Sequence, residues 1–266
     1  MITREQQLFI NRALPILKRD SRLLGVALGG SYIHRERMDE FSGLDFTLAI
    51  SRDSYDEVMA ARVELAGALG TLLASFPGDH IHRHELLICL YDDPLLHIDL
   101  TFVTPESLAV RYEDPVILYQ SGSVMSDVFA RSPAHRPTPD LQWFEDRFWI
   151  WVHYASAKIG RGELFDAIHA LDFLRTEVLG PLLQMQAGMI PRGVRNIERD
   201  APEEVRRLAA TIPEYNRQSC IKALKAAANI YIALRGVNKA SLFLREQAET
   251  RALRYLSEIA EGIEEK

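Results

Sequence analysis

The chain has 266 residues, 47% of them hydrophobic and 26% charged, with a formal net charge of -6. That length buries a sizeable core, in one large domain or two of ordinary size. No apolar run approaches the roughly 18 residues of a membrane helix. The acidic balance, without a long Lys/Arg cluster, argues against a protein that works on nucleic-acid phosphates. The N-terminal stretch has charges throughout and no apolar h-region. The two cysteines, Cys89 and Cys220, lie far apart in apolar surroundings. A cytoplasmic protein with buried thiols is expected.

Residues 3 to 19 read as an opening helix: Thr3 and Gln6 fit a capping box, Leu8, Phe9, Arg12, Ala13 and Ile16 follow helical spacing, and Pro15 is expected to bend or interrupt it. The run LLGVALGG at 23 to 30 is a buried strand delivering a glycine loop, and LDFTLAI at 44 to 50 is the next strand. Residues 53 to 74 return to helical spacing through Val58, Val63, Leu65, Leu69 and Leu72, until Pro77 and Gly78 break the run. ELLICLY at 85 to 91 and LLHIDLTFV at 95 to 103 flank Asp92-Asp93-Pro94 and are expected to pair antiparallel. RSPAHRPTPD, 131 to 140, holds three prolines and reads as a linker. Beyond it, Phe144, Phe148, Trp151, Val152, Ala155 and Ile159 open a series of helical stripes that continues almost to the end. The expected class is α+β: an α/β domain over 1–130 with a small mixed sheet, then a helical bundle over 141–266.

The chemistry-bearing residues lie in the first part. A Gly29-Gly30-Ser31 turn after a strand lets backbone N–H groups approach a phosphate and adds a hydroxyl donor, although most such triplets are simple turns. Asp45 sits between Leu44 and Phe46, and Asp99 between Ile98 and Leu100. A carboxylate in such a run is either paired, hydrogen-bonded or bound to a cation, or else faces solvent from an amphipathic strand.

These residues carry a resemblance. Gly30-Ser31, the strand of Asp45 about a dozen residues later, and Asp99 on a following apolar strand resemble the nucleotidyltransferase superfamily that includes DNA polymerase beta. The blocks DEFSGLDFTL, LYDDPLLHIDLTFVTPESL, EDPVILYQ and FWIWVHYASAKIGRGELFDAIHAL are similar, in order, to those of the aminoglycoside 6-adenylyltransferase branch. The resemblance implies a nucleotidyltransferase fold followed by helices that help close over an acceptor, with ATP as donor and Mg2+ as cofactor. It implies AMP transfer to a hydroxyl of a small molecule, an aminoglycoside-like one among them. In that pattern Gly29, Gly30 and Ser31 hold the triphosphate, Asp45 and Asp99 bind metal, and Asp99 also acts as general base.

One position departs from the pattern. Strand alternation places residues 43 and 45 on one face, where the family has a carboxylate pair, and the residue here is Gly43. Losing one close unit charge is worth about 4 kcal/mol at an effective dielectric near 20, or about a thousandfold in rate. Asp39 and Glu40, on the loop feeding the strand, are either substitutes or surface charges. Gly43 leaves a second reading open: a catalytically impaired relative that binds nucleotide or a partner as a sensor or interaction module. A third reading, a zinc hydrolase, draws on the alternating His80, His82 and His84. On the helical part, Glu145, Asp146, Glu163, Asp166 and Asp172 are available to a cationic acceptor, but Arg147, Arg161 and Arg175 lie among them, and ordinary helix charge pairs explain each one. Arg35 and Arg37, after Ser31, either meet a triphosphate or are exposed surface.

Overall fold

The first turn of the chain sets the position of the loop that leads into the second strand. Thr3 Oγ1 accepts from the Gln6 backbone N–H at 3.2 Å, and Gln6 Oε1 accepts from that of Thr3 at 2.8 Å, closing the expected capping box. Helix α1 (Arg4–Arg19) follows. Its buried stripe is Phe9, Ile10, Ala13 and Leu17, while Leu8 falls outside it and is 52% exposed. Pro15 does not interrupt the helix, because buried residues anchor it on both sides of the ring. Gln6 is itself fully buried, and its Nε2 donates to the carbonyls of Asp39 (2.8 Å) and Ser42 (2.7 Å). One side chain thus caps a helix and holds the loop before the second strand.

The computed structural model describes residues 1–236 and 242–264. The chain divides into two units, Met1–Pro137 and Thr138–Lys266. The first contains β1 (Leu23–Leu28), β2 (Leu44–Ile50), α2 (Tyr55–Ala60), α3 (Arg62–Ala68), β3 (Thr71–Gly78), β4 (Arg83–Asp92), β5 (Leu96–Val103), β6 (Val116–Gln120) and α4 (Val124–Arg131). The strands form one mixed sheet in the order β3-β4-β5-β2-β1-β6, with β2 and β5 parallel and every other neighbour antiparallel.

Alternation along the central strands sorts the two faces. Leu44, Phe46, Leu48 and Ile50 of β2, with Ile98, Leu100 and Phe102 of β5, are buried in a core that also takes in Phe9 and Leu17 of α1, Val58 of α2 and Ala66 of α3. On the other face, Ala27, Ala49 and Met125 form a small apolar cluster at one end. Elsewhere on that face β2 and β5 carry Asp45, Thr47, Asp99 and Thr101.

The first strand ends at Leu28 and delivers the expected glycine turn, with Gly30–Arg37 forming 3-10 turns. One expectation needs correction. The helix expected from 53 to 74 ends at Ala68; from Thr71 the chain pairs with β4, Thr71 against Asp92 and Leu72 against Tyr91. A waiting strand partner outweighs the helical spacing of Leu69 and Leu72. The cysteines are both free and buried, and burial pushes the Cys89 thiol up to about 12.

The second unit is helical: α5 (Leu141–Arg161), α6 (Leu164–Phe173), α7 (Gly180–Gln186), α8 (Ile197–Asp200), α9 (Pro202–Ala209), α10 (Arg217–Gly236) and α11 (Glu246–Glu264). A π-helical segment, Leu174–Leu179, joins α6 to α7. Phe144, Phe148, Trp149 and Val152 of α5 enter the core, and Phe148 stacks on Tyr231 of α10 at 3.8 Å. Beneath them lies Glu145, fully buried, which accepts from Tyr231 Oη (2.8 Å), Arg235 Nη1 (2.9 Å) and the backbone N–H of Arg245 (2.9 Å). Among the described residues, no helix is long and apolar enough to cross a membrane.

Glu145→Ala leaves the Arg235 charge, the Tyr231 hydroxyl and the Arg245 N–H short of an acceptor, so the helical unit should lose about 3 kcal/mol. Urea unfolding followed by tryptophan fluorescence reports this unit, since Trp143, Trp149 and Trp151 all lie on α5. Gln6→Ala removes a cap and two hydrogen bonds to loop carbonyls and should cost the first unit about 2 kcal/mol. Hydrogen exchange of the β2 and β5 amides measures it.

Candidate active site

The register of the single parallel pair fixes the site. Asp45 of β2 stands directly beside Asp99 of β5, flanked by the pairs Leu44 with Ile98 and Phe46 with Leu100. Paired residues on neighbouring strands share a face and lie about 5 Å apart. Both carboxylates therefore emerge side by side on the polar face, with Thr47 and Thr101 next along the same strands. Neither is fully exposed: Asp45 is half-buried, and the Asp99 side chain is 27% exposed.

The glycine loop closes against the first carboxylate. Gly29 N–H donates to the Asp45 carbonyl at 2.8 Å, which brings the end of β1 onto the start of β2. Gly30 has φ +56°, a left-handed conformation that favours glycine, and a Cβ there would lie 2.0 Å from Asp45 Oδ2. The space left by the missing side chain is filled by the Asp45 carboxylate. Ser31 follows in the first 3-10 turn, and Tyr32 N–H returns to the Gly29 carbonyl at 3.1 Å. Gly29, Gly30, Ser31, Asp45 and Asp99 thus come from three segments to one edge of the polar face.

The other candidates are engaged elsewhere. Asp39 Oδ1 accepts from Phe41 N–H (3.1 Å) and Ser42 Oγ (2.9 Å), shaping its own loop, and Glu40 is exposed. Arg35 donates to Tyr32 Oη at 2.8 Å and lies over that ring. His80 sits in a short turn, His82 is left-handed at φ 58°, and His84 lies on β4. Among the described residues no group of three His, Cys, Asp or Glu is arranged to hold a metal. In the helical unit Glu145 is buried, Asp146 pairs with Arg245, Glu163 and Asp166 share Lys158, and Asp172 pairs with Arg175. That unit also has a cavity of about 360 Å³, lined by Phe144, Leu182, Tyr231 and Arg235 among others. Its one charged side chain is neutralised by Glu145 and Glu249.

Sequence reasoning passed over His97. It precedes Asp99 by two residues on β5, and its Nε2 lies 2.9 Å from Asp99 Oδ1. The signal was present in the string HID, where period-two spacing puts histidine and aspartate on one face.

Gly43 also acquires a structural reason. A Cβ at this position would stand 2.8 Å from the His97 carbonyl oxygen, which is backbone and does not swing away. The missing carboxylate is thus matched by a close approach of the two chains. What remains, two adjacent carboxylates beside a glycine turn, has the chemistry to hold one Mg2+, an ion usually held by one or two carboxylates with its other positions completed by water and other oxygens. It does not supply the third carboxylate of a paired-metal centre.

No family model matches the chain, and no curated protein matches it. Among solved structures, the chain is similar to an aminoglycoside 6-adenyltransferase from Bacillus subtilis, at 15% identity and a TM-score of 0.42, covering 97% of this chain and 99% of that one. It is also similar to a nucleotidyltransferase-like protein from Exiguobacterium sibiricum, at 12% identity and a TM-score of 0.39, covering 86% and 73%. These scores say nothing of activity.

The glycines provide a paired test. Gly43→Ala should destabilise the first unit by about 1–3 kcal/mol, since the added methyl meets backbone. Gly67→Ala, in α3 with nothing within 4 Å of its Cβ position, should stabilise it by about 0.5–1 kcal/mol. Calorimetric unfolding of both variants against the parent checks the opposite signs.

Proposed function

We propose that the chain is a nucleotidyltransferase that takes AMP from ATP, with Mg2+, and places it on a hydroxyl of a small molecule. The observation that carries this reading is the in-register pair Asp45 and Asp99, with the Asp45 carboxylate set against Gly30. A triphosphate brings its own cation, and a carboxylate pair beside a glycine turn offers hard oxygen ligands and backbone donors at one place. Bound there by Asp45 and Asp99, Mg2+ would offset phosphate charge.

The chain's own residues have separable tasks in this reading. Gly29, Gly30 and Ser31 admit the phosphates closely and offer N–H and hydroxyl donors. Asp99 takes the proton of the acceptor hydroxyl, whose oxygen forms a bond to the α-phosphorus as the bond to the bridging β-phosphate oxygen breaks and pyrophosphate leaves. Gly43 supports a second reading: nucleotide binding without transfer, in a sensor or interaction module.

One experiment separates them. Calorimetric titration of the full chain with ATP should show binding that needs Mg2+ and weakens at least tenfold in Asp45→Asn; binding indifferent to Mg2+ would sink both readings. Incubation with ATP, Mg2+ and a panel of small hydroxyl compounds, aminoglycosides included, should yield a product heavier by one adenylyl group. Mg2+-dependent binding without any product would leave the sensor reading standing.

A further inference from the structure

Asp99 lies between an apolar neighbour and a like charge. On the β4 side its partner in register is Ile88, and on the β2 side it is Asp45. Like charges on adjacent strands are destabilising. Along β5 the polar neighbours on the same face are Thr101 and His97, and His97 makes the 2.9 Å contact to Asp99 Oδ1. An ionised carboxylate only accepts, so the imidazole nitrogen facing it, Nε2, carries the proton and donates. The strand neighbours of His97 offer it no competing group: Leu90 lies opposite on β4, and beyond the last β2 pair stands Gly43, with no side chain. Its imidazole is 62% exposed, against 27% for the Asp99 side chain it contacts.

We propose that His97 is the positioning residue of this site: its Nε2–H holds Asp99 by Oδ1 and thereby directs Oδ2 to a divalent cation, an orientation that Gly43 contributes nothing to. The inference rests on the nucleotidyltransferase reading for the identity of the cation's cargo, but the hydrogen bond and its effect on cation affinity are measurable without turnover. Outer groups that orient a ligating carboxylate typically change metal affinity ten- to a hundredfold when removed. Any residue that reaches Asp99 with an uncharged N–H should serve, whether or not it titrates.

The probe is Mn2+ alone, titrated into the full chain with free ion read by electron paramagnetic resonance. His97→Phe should weaken Mn2+ binding about tenfold, His97→Gln should stay within about threefold of the parent, and Asp99→Asn should abolish binding. At high exposure none of the His97 changes threatens the fold, and far-UV circular dichroism verifies this. Equal affinity in parent and His97→Phe, with loss only in Asp99→Asn, overturns the proposal while the carboxylate site stands. An equal fall in the Gln and Phe variants also overturns it, since the imidazole would then be a ligand itself. A parent that binds no Mn2+ overturns the proposal, while the nucleotidyltransferase reading, in which the triphosphate brings its own cation, stands or falls on the titration with ATP. Independently of any metal, imidazole 15N shifts above pH 8 should show the proton on Nε2; a proton on Nδ1 overturns the proposal.

Discussion

The register between β2 and β5 is the constraint on which the first unit depends. Both strands bury every second side chain in the same core, Phe46 beside Leu100 and Leu48 beside Phe102. A slip of one residue on either strand would carry that apolar set to the polar face and drag a carboxylate into the core. The packing of eight buried aliphatic and aromatic residues, four on each strand, thus determines where Asp45 and Asp99 stand. Stability and site geometry are one property here, and substitutions on the buried face would disturb the carboxylates without touching them.

Two absent side chains complete the arrangement, for different reasons. At Gly30 the backbone turns left-handed and the Asp45 carboxylate fills the place of the Cβ. At Gly43 the His97 carbonyl fills it, so the chain enters β2 too close to β5 for any other residue without movement. The loop between these glycines is held from below by Gln6, whose amide spans the Asp39 and Ser42 carbonyls. A carboxylate at 43 and this close strand approach exclude each other. The absence of a carboxylate at 43 is therefore built into the backbone and is more than a single lost side chain.

Much of this was legible in the sequence, and the failures have identifiable causes. The limits of β2, the antiparallel pairing of β4 with β5 and the capping box follow from period-two alternation, a turn-forming Asp-Asp-Pro and the Thr3/Gln6 spacing. The strand β3 was not legible, because Leu69 and Leu72 satisfy helical spacing and only the presence of β4 decides otherwise. The α+β class and the helical second half needed only periodicity. The setting of Gly43 was out of reach, since its neighbour is a backbone oxygen more than fifty residues away. His97 was within reach by alternation alone, since it stands two residues before Asp99 on the same strand.

Charge is handled differently in the two units. The acidic side chains of the helical unit are counted easily in sequence and look available to a cationic ligand. In the folded chain Glu145 is at the centre of a fully satisfied network joining α5, α10 and the approach to α11, and Asp146 reinforces the same joint through Arg245. A buried ion pair adds little net stability over an apolar replacement, yet removing one partner is costly, so such a network fixes which helices meet more than how tightly they hold. On the sheet, Asp45 and Asp99 are placed by strand register, side by side on a face they share with threonines and an imidazole.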